Sequence, residues 1–177
     1  IRINEFAYTT GIEFQKTVEN IKNPEGTILI IDLRNNPGGS GQACNQMLDL
    51  LLPQCITSSD IYSDGESYES YSDAEQVKFK KIILLVNEYS ASSSELLTLG
   101  LKKNLDNVVI IGHTTVGKGV GQLGFENKEK KYMIFLVSFY WNVEDENINN
   151  KGIKPDITIK GSSDSEYFEE INKQLTN

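Results

Sequence analysis

Three short turns hold the residues whose types and spacing could do chemistry. The first to consider is Asn87-Glu88-Tyr89-Ser90-Ala91-Ser92-Ser93-Ser94-Glu95, which crowds small hydroxyl side chains ahead of a helical pattern. A serine at such a strand-to-helix turn is exposed, and the N–H groups of the helix start can stabilise an oxyanion. The same residues also read as a serine-rich N-cap closed by a capping-box carboxylate, Glu95. The next turn, Gly112-His113-Thr114-Thr115-Val116-Gly117-Lys118-Gly119, nearly spells the phosphate-binding GxxxxGK[ST] loop. Gly119 stands where Ser or Thr must hold Mg²⁺, and Val120 to Phe125 does not read as the helix such a loop opens. The other functional reading is a lysine in a tight glycine bend, and lysine becomes a general base only where its neutral form is favoured. The third turn, Arg34-Asn35-Asn36-Pro37-Gly38-Gly39, ends in paired glycines. They permit positive φ and close approach to a ligand, so they either aim N–H groups at a carbonyl or simply make a tight turn.

Other groups compete for these roles. His113 is the only histidine and sits in the lysine turn, so a Ser-His pair is the rival base assignment. Cys44 is a candidate thiol but has no basic motif nearby, and it reads as a buried free thiol in a helix rather than as a partner of Cys55. Asp32 and Arg34 read as an ion pair or turn anchor, and Asp156 as a brace. A lone histidine with no CxxC argues against a metal site, and no motif calls for a cofactor.

Each turn needs an element to hold it. Thr27–Leu33, Lys81–Val86 and Val108–Ile111 are apolar runs of strand length, as found where a parallel sheet is covered on both faces. Loops at the carboxyl ends of such strands are where sites form. Helical spacing recurs over Ile12–Ile21, Gln42–Leu52, Glu95–Lys103 and residues 165–175. Ile1–Phe6 and Tyr132–Tyr140 read as further strands. Residues 58–76 form a surface excursion: from Ser58 to Asp73 the composition shifts to Ser, Asp, Glu and Tyr, as in a solvated loop or a substrate-facing flap. Alternation of strand and helix predicts an α/β fold with a largely parallel sheet.

The 177 residues make one domain, 1–177, large enough for a real core, and 38 % hydrophobic with 24 % charged residues reads as soluble and globular. A net charge of −8 argues against sequence-independent binding to nucleic acid or anionic lipid. No apolar run approaches the roughly 20 residues of a membrane span. The chain opens on Ile1–Phe6 with no signal-peptide pattern, which is consistent with a trimmed N-terminus.

Four separated segments, in order, resemble the S41 peptidase family of carboxy-terminal processing or tail-specific proteases. Ile30-Ile31-Asp32-Leu33-Arg34-Asn35-Asn36-Pro37-Gly38-Gly39 is similar to the family's strand-and-turn signature. Ser90-Ala91-Ser92-Ser93-Ser94-Glu95 resembles its SASASE nucleophile segment. Thr115-Val116-Gly117-Lys118-Gly119-Val120-Gly121-Gln122 resembles its TxGKGxxQ lysine segment, and Lys151-Gly152-Ile153-Lys154-Pro155-Asp156 its GIxPD turn. Ile1–Phe6 is similar to its first core strand.

The resemblance implies a ClpP/crotonase-like core of stacked β-β-α units. It implies Ser92 as nucleophile, Lys118 as general base and Gln122 as the group orienting the lysine. The N–H of Ser93 with that of Gly38 or Gly39 would form the oxyanion hole. The expected reaction is hydrolysis of a polypeptide substrate through an acyl-enzyme, near protein C-termini, with no metal or cofactor. The alternative is a catalytically latent peptide-binding module of the same fold. Two departures stand out: Ser93 replaces the usual Ala, and the stretch from Ser92 to Lys118 is one residue longer than usual, around Asn104–Asn107. The family's PDZ module has no counterpart in these residues, so a PDZ or regulatory domain is an expected missing partner. Export to a bacterial cell envelope is implied by the resemblance alone.

Overall fold

The computed structural model describes residues 1–176; Asn177, the last position of the single domain read from sequence, lies outside them. The three apolar runs become β1 (Ile28–Asp32), β4 (Lys81–Val86) and β5 (Val108–Gly112). With a short β8 (Ile157–Thr158) they form a parallel sheet in the order β1-β4-β5-β8. Side chains alternate across a strand, so β4 feeds both faces. Ile82, Leu84 and Val86 join a cluster with Phe14, Val18, Met47, Leu48, Leu51, Leu97 and Leu101. These belong to α1 (Thr10–Glu19), α2 (Gly41–Leu51) and α3 (Ser93–Asn104). Ile83 and Leu85 instead meet Tyr167 and Ile171 of α4 (Asp164–Thr176). Helices therefore cover both faces, which explains the unbroken apolar runs. Full burial of side chains such as Met47, Leu48 and Leu51 stabilises the fold by roughly 1.5–3 kcal/mol each.

A second, antiparallel sheet runs in the order β3-β2-β7-β6. Its strands are β2 (Ile56–Tyr62), β3 (Ser67–Tyr71), β6 (Val120–Asn127) and β7 (Tyr132–Asn142). Two expectations change here. The excursion read as a loop is a hairpin, β2–β3, whose outer strand is mostly exposed and so carries no apolar alternation. Ile1–Phe6 forms no strand; it touches the sheet region through single parallel bridges, Arg2 to Asp32 and Phe6 to Gly39. The apolar stretch from Tyr132 is a strand, as read from sequence, and residues 132–137 on it stand exposed.

The polar residues at the sheet ends act as read from sequence. Arg34 pairs with Asp32 at 2.6 Å and with Asp164 at 2.7 Å, joining β1 to α4. Burial works to raise the Asp32 carboxyl pKa, but the Arg34 hydrogen bonds and charge prevail and hold it below the usual value. Asp156 accepts the Ile110 N–H and the Lys102 ammonium, each at 2.9 Å. Both cysteines are free.

Candidate active site

The three turns converge on one cleft of about 870 Å³ at the carboxyl ends of the parallel strands. Ser92, Ser93, Lys118, Gln122 and Gly39 all line it. Ser92 is the N-cap of α3 and holds φ 55° and ψ −118°. A non-glycine residue in that region costs on the order of 1–3 kcal/mol and persists only where its surroundings over-determine it.

The surroundings can be named. Ala91 N–H donates to the Asn36 carbonyl at 3.0 Å. The hydroxyls of Ser90, Ser94 and Ser93 donate to the carbonyls of Leu33, Asn36 and Gly39, at 2.8, 3.0 and 3.0 Å. Three of the four serines therefore staple the α3 start to the turn after β1, whereas the Ser92 hydroxyl makes no such bond. Gly38 closes the same contact. It has φ +100°, and a Cβ on it would lie 2.7 Å from both the Ala91 carbonyl oxygen and Ser92 Cβ. Only glycine allows the turn and the serine elbow to approach this closely.

The lysine turn is fixed from the opposite side. Trp141 Nε1 donates to the Lys118 carbonyl at 3.1 Å, and Asn147 Nδ2 to the Gly119 carbonyl at 3.0 Å. Thr115 and Ile153 exchange hydrogen bonds, so the Gly152-Ile153 turn buttresses the bend. Lys118 itself is half-buried, with Nζ 3.5 Å from Gln122 Oε1 on β6.

One residue unites the two turns. Glu95 is fully buried one turn into α3. Its Oε2 accepts the N–H groups of Ser92 at 2.8 Å and Lys118 at 2.9 Å. Its Oε1 accepts the Gly117 N–H at 2.7 Å and the Thr115 hydroxyl at 2.5 Å. A buried carboxylate is tolerable because four donors surround it. In the sequence Glu95 reads as a local capping-box residue. Its partners 20 to 23 positions away gave no local signal.

The remaining candidates separate clearly. Gly38 N–H is already given to Asn36 Oδ1 at 2.9 Å. Among the described residues the Gly39 and Ser93 N–H groups have no such acceptor. His113 lies outside the cleft lining, its Nε2 2.8 Å from the Gly161 carbonyl oxygen. Cys44 is buried, its Sγ 3.3 Å from the Ser93 carbonyl oxygen, and desolvation pushes its thiol pKa far up, away from the thiolate a nucleophile needs.

The profile of peptidase family S41 matches residues 1–159. The chain belongs to peptidase family S41. It is 31 % identical over 175 residues to the "Probable CtpA-like serine protease" of Staphylococcus aureus (strain COL), covering 97 % of this chain and 34 % of that protein. It is 29 % identical over 158 residues to the "Carboxy-terminal processing protease CtpA" of Bacillus subtilis (strain 168), covering 89 % and 34 %. The S41 chain thus spans about a third of the length of these relatives. Among solved structures, the photosystem II D1 C-terminal processing protease superposes with a TM-score of 0.77 at 24 % identity, covering 89 % of this chain and 41 % of that one. The mixed α/β fold with its parallel sheet is therefore that of S41 proteases.

Proposed function

We propose that this chain is the catalytic core of a serine endopeptidase that acts through a Ser92–Lys118 dyad on C-terminal regions of proteins. The observation that carries the reading is the Glu95 carboxylate, one oxygen of which receives the main chain of both Ser92 and Lys118. A capping role alone would need only the bond to Ser92. A brace spanning both turns serves two groups that must work together.

In this reading neutral Lys118 takes the proton from the Ser92 hydroxyl as its oxygen attacks the scissile carbonyl. Gln122 Oε1 directs the amine through a hydrogen bond. The N–H groups of Gly39 and Ser93, which have no acceptor among the described residues, receive the charge on the tetrahedral oxygen. Lys118 then returns its proton to the leaving amine, and water releases the acyl group by the same sequence. Gly38 serves by packing against Ser92, its own N–H being committed to Asn36.

Incubation of the full-length protein with casein tests the reading. Cleavage should vanish in Ser92→Ala and in Lys118→Ala, both retaining the wild-type unfolding temperature, and should largely persist in His113→Ala. Absence of cleavage by the wild type over long incubation would favour a peptide-binding module instead.

A further inference from the structure

Of the residues lining the cleft, only Lys118 is basic and only Asp60 acidic. Asp60 lies on β2, opposite Tyr68 of β3 and Trp141 of β7. Its neighbours on the cleft wall are Ser58, Ser70 and Asn45. Those polar groups satisfy one another: Asn45 Nδ2 donates to Ser70 Oγ at 3.0 Å, and Asn45 Oδ1 accepts from Thr57 and Ser58. Among the described residues the Asp60 carboxylate has neither hydrogen bond nor ion pair. It is half-buried, and desolvation raises its pKa to about 6. Beside it Trp141 and Phe139 give the cleft an aromatic wall.

A lone, partly desolvated carboxylate beside aromatic rings is costly in the free protein and favourable once a cation fills the gap. A lysine or arginine side chain matches both parts. Its aliphatic stem lies along an apolar wall while its head group pairs with a carboxylate. We infer that Asp60 forms a subsite selecting a basic side chain of the polypeptide substrate. This inference rests on reading the cleft as the substrate site. It adds a specificity determinant on the β2–β3 hairpin, the segment whose composition alone resembled a solvated loop.

The test uses the full-length protein and quenched fluorescent peptides in which lysine, norleucine or glutamate occupies one position at a time. At one position the wild type should cleave the lysine peptide at least about tenfold more efficiently than the norleucine peptide, the scale of one well-formed ion pair in a site. Asp60→Asn should bring that ratio to near unity, and Asp60→Lys should turn the preference toward glutamate. An unchanged ratio in Asp60→Asn overturns the assignment, as does a wild type that cleaves these peptides without lysine preference at any position. The same peptides are also titrated, by fluorescence polarisation, onto Ser92→Ala and Ser92→Ala/Asp60→Asn proteins, where no turnover is needed. Lysine preference present in the first and lost in the second, together with a wild type that never cleaves, would sink the protease reading and keep the subsite. Lysine preference surviving in the double variant would sink the subsite alone.

Discussion

The main-chain N–H groups of Ser92 and Lys118 meet at a single atom, Oε2 of Glu95, at 2.8 and 2.9 Å. The two turns follow different strands, β4 and β5, and both meet at the N-terminal end of α3. A buried carboxylate fixes their separation more tightly than two independent loops would.

Glu95→Gln should therefore disturb both turns at once. The amide keeps one acceptor oxygen but turns an NH₂ group toward two N–H donors or toward a hydroxyl and an N–H. Leaving such groups unsatisfied should cost about 1–3 kcal/mol of stability. Misplacement of the dyad should lower kcat by about 100-fold with a smaller change in KM. Chemical denaturation and steady-state kinetics read the two effects. Wild-type kcat in a correctly folded Gln variant would contradict the brace.

Gly38→Ala should damage activity through geometry rather than chemistry. The new Cβ would meet the Ala91 carbonyl oxygen and Ser92 Cβ at 2.7 Å, at a φ of +100°. The strain should cost on the order of 1–3 kcal/mol and pull the turn away from Ser92. Thermal unfolding and casein cleavage together check this; unchanged values in both would show that the turn tolerates a side chain.

Ser93→Ala should be mild. It removes one hydroxyl bond, to the Gly39 carbonyl at 3.0 Å, and leaves the backbone N–H in place. A loss of about 0.5–1.5 kcal/mol in stability is expected, with cleavage retained. Complete inactivation would mean that the hydroxyl, not the backbone, works at this position.

Asp60 should make stability pH-dependent. Its folded pKa, about 6, lies above the ordinary 3.8, so folding favours the protonated form. That contribution is fully present below about pH 3.8 and is lost as pH rises through 6. Asp60→Asn should remove this fall and be the more stable protein at pH 8, by on the order of 1 kcal/mol after allowing for solvent screening. Denaturant titrations at pH 4 and pH 8 give the comparison. An Asn variant no more stable at pH 8 would show that the carboxylate is comfortably solvated.

What the sequence reveals follows from which forces are local. The ILIID and KIILLV strands are legible because burial on both faces confines polar residues to the strand ends, Asp32 and Lys81. The start of α3 is legible because its serines and Glu95 cap it within one turn. The β2–β3 hairpin is not, since both its faces carry Ser, Asp, Glu and Tyr, and its pairing partner β7 lies some 80 residues on. The β6 strand is obscured by Gly121 and Gly124, residues that weaken strand propensity and that sit against Phe139 and Phe135 of β7. Ser92, Lys118 and Gln122 were visible through motif order, while the Glu95 bonds to the lysine turn and the position of Asp60 in the cleft depend on tertiary contacts that no local pattern encodes.

The central claim is that Ser92 is acylated and that Lys118 makes it reactive. Acid-quenched reaction of the full-length protein with an activated peptidyl ester, followed by peptide mass mapping, tests it most directly. The account predicts an acyl adduct on Ser92 in the wild type and its loss in Lys118→Ala, with His113→Ala still labelled. An adduct on Ser93 or Cys44, or equal labelling of Ser92 without Lys118, would contradict it.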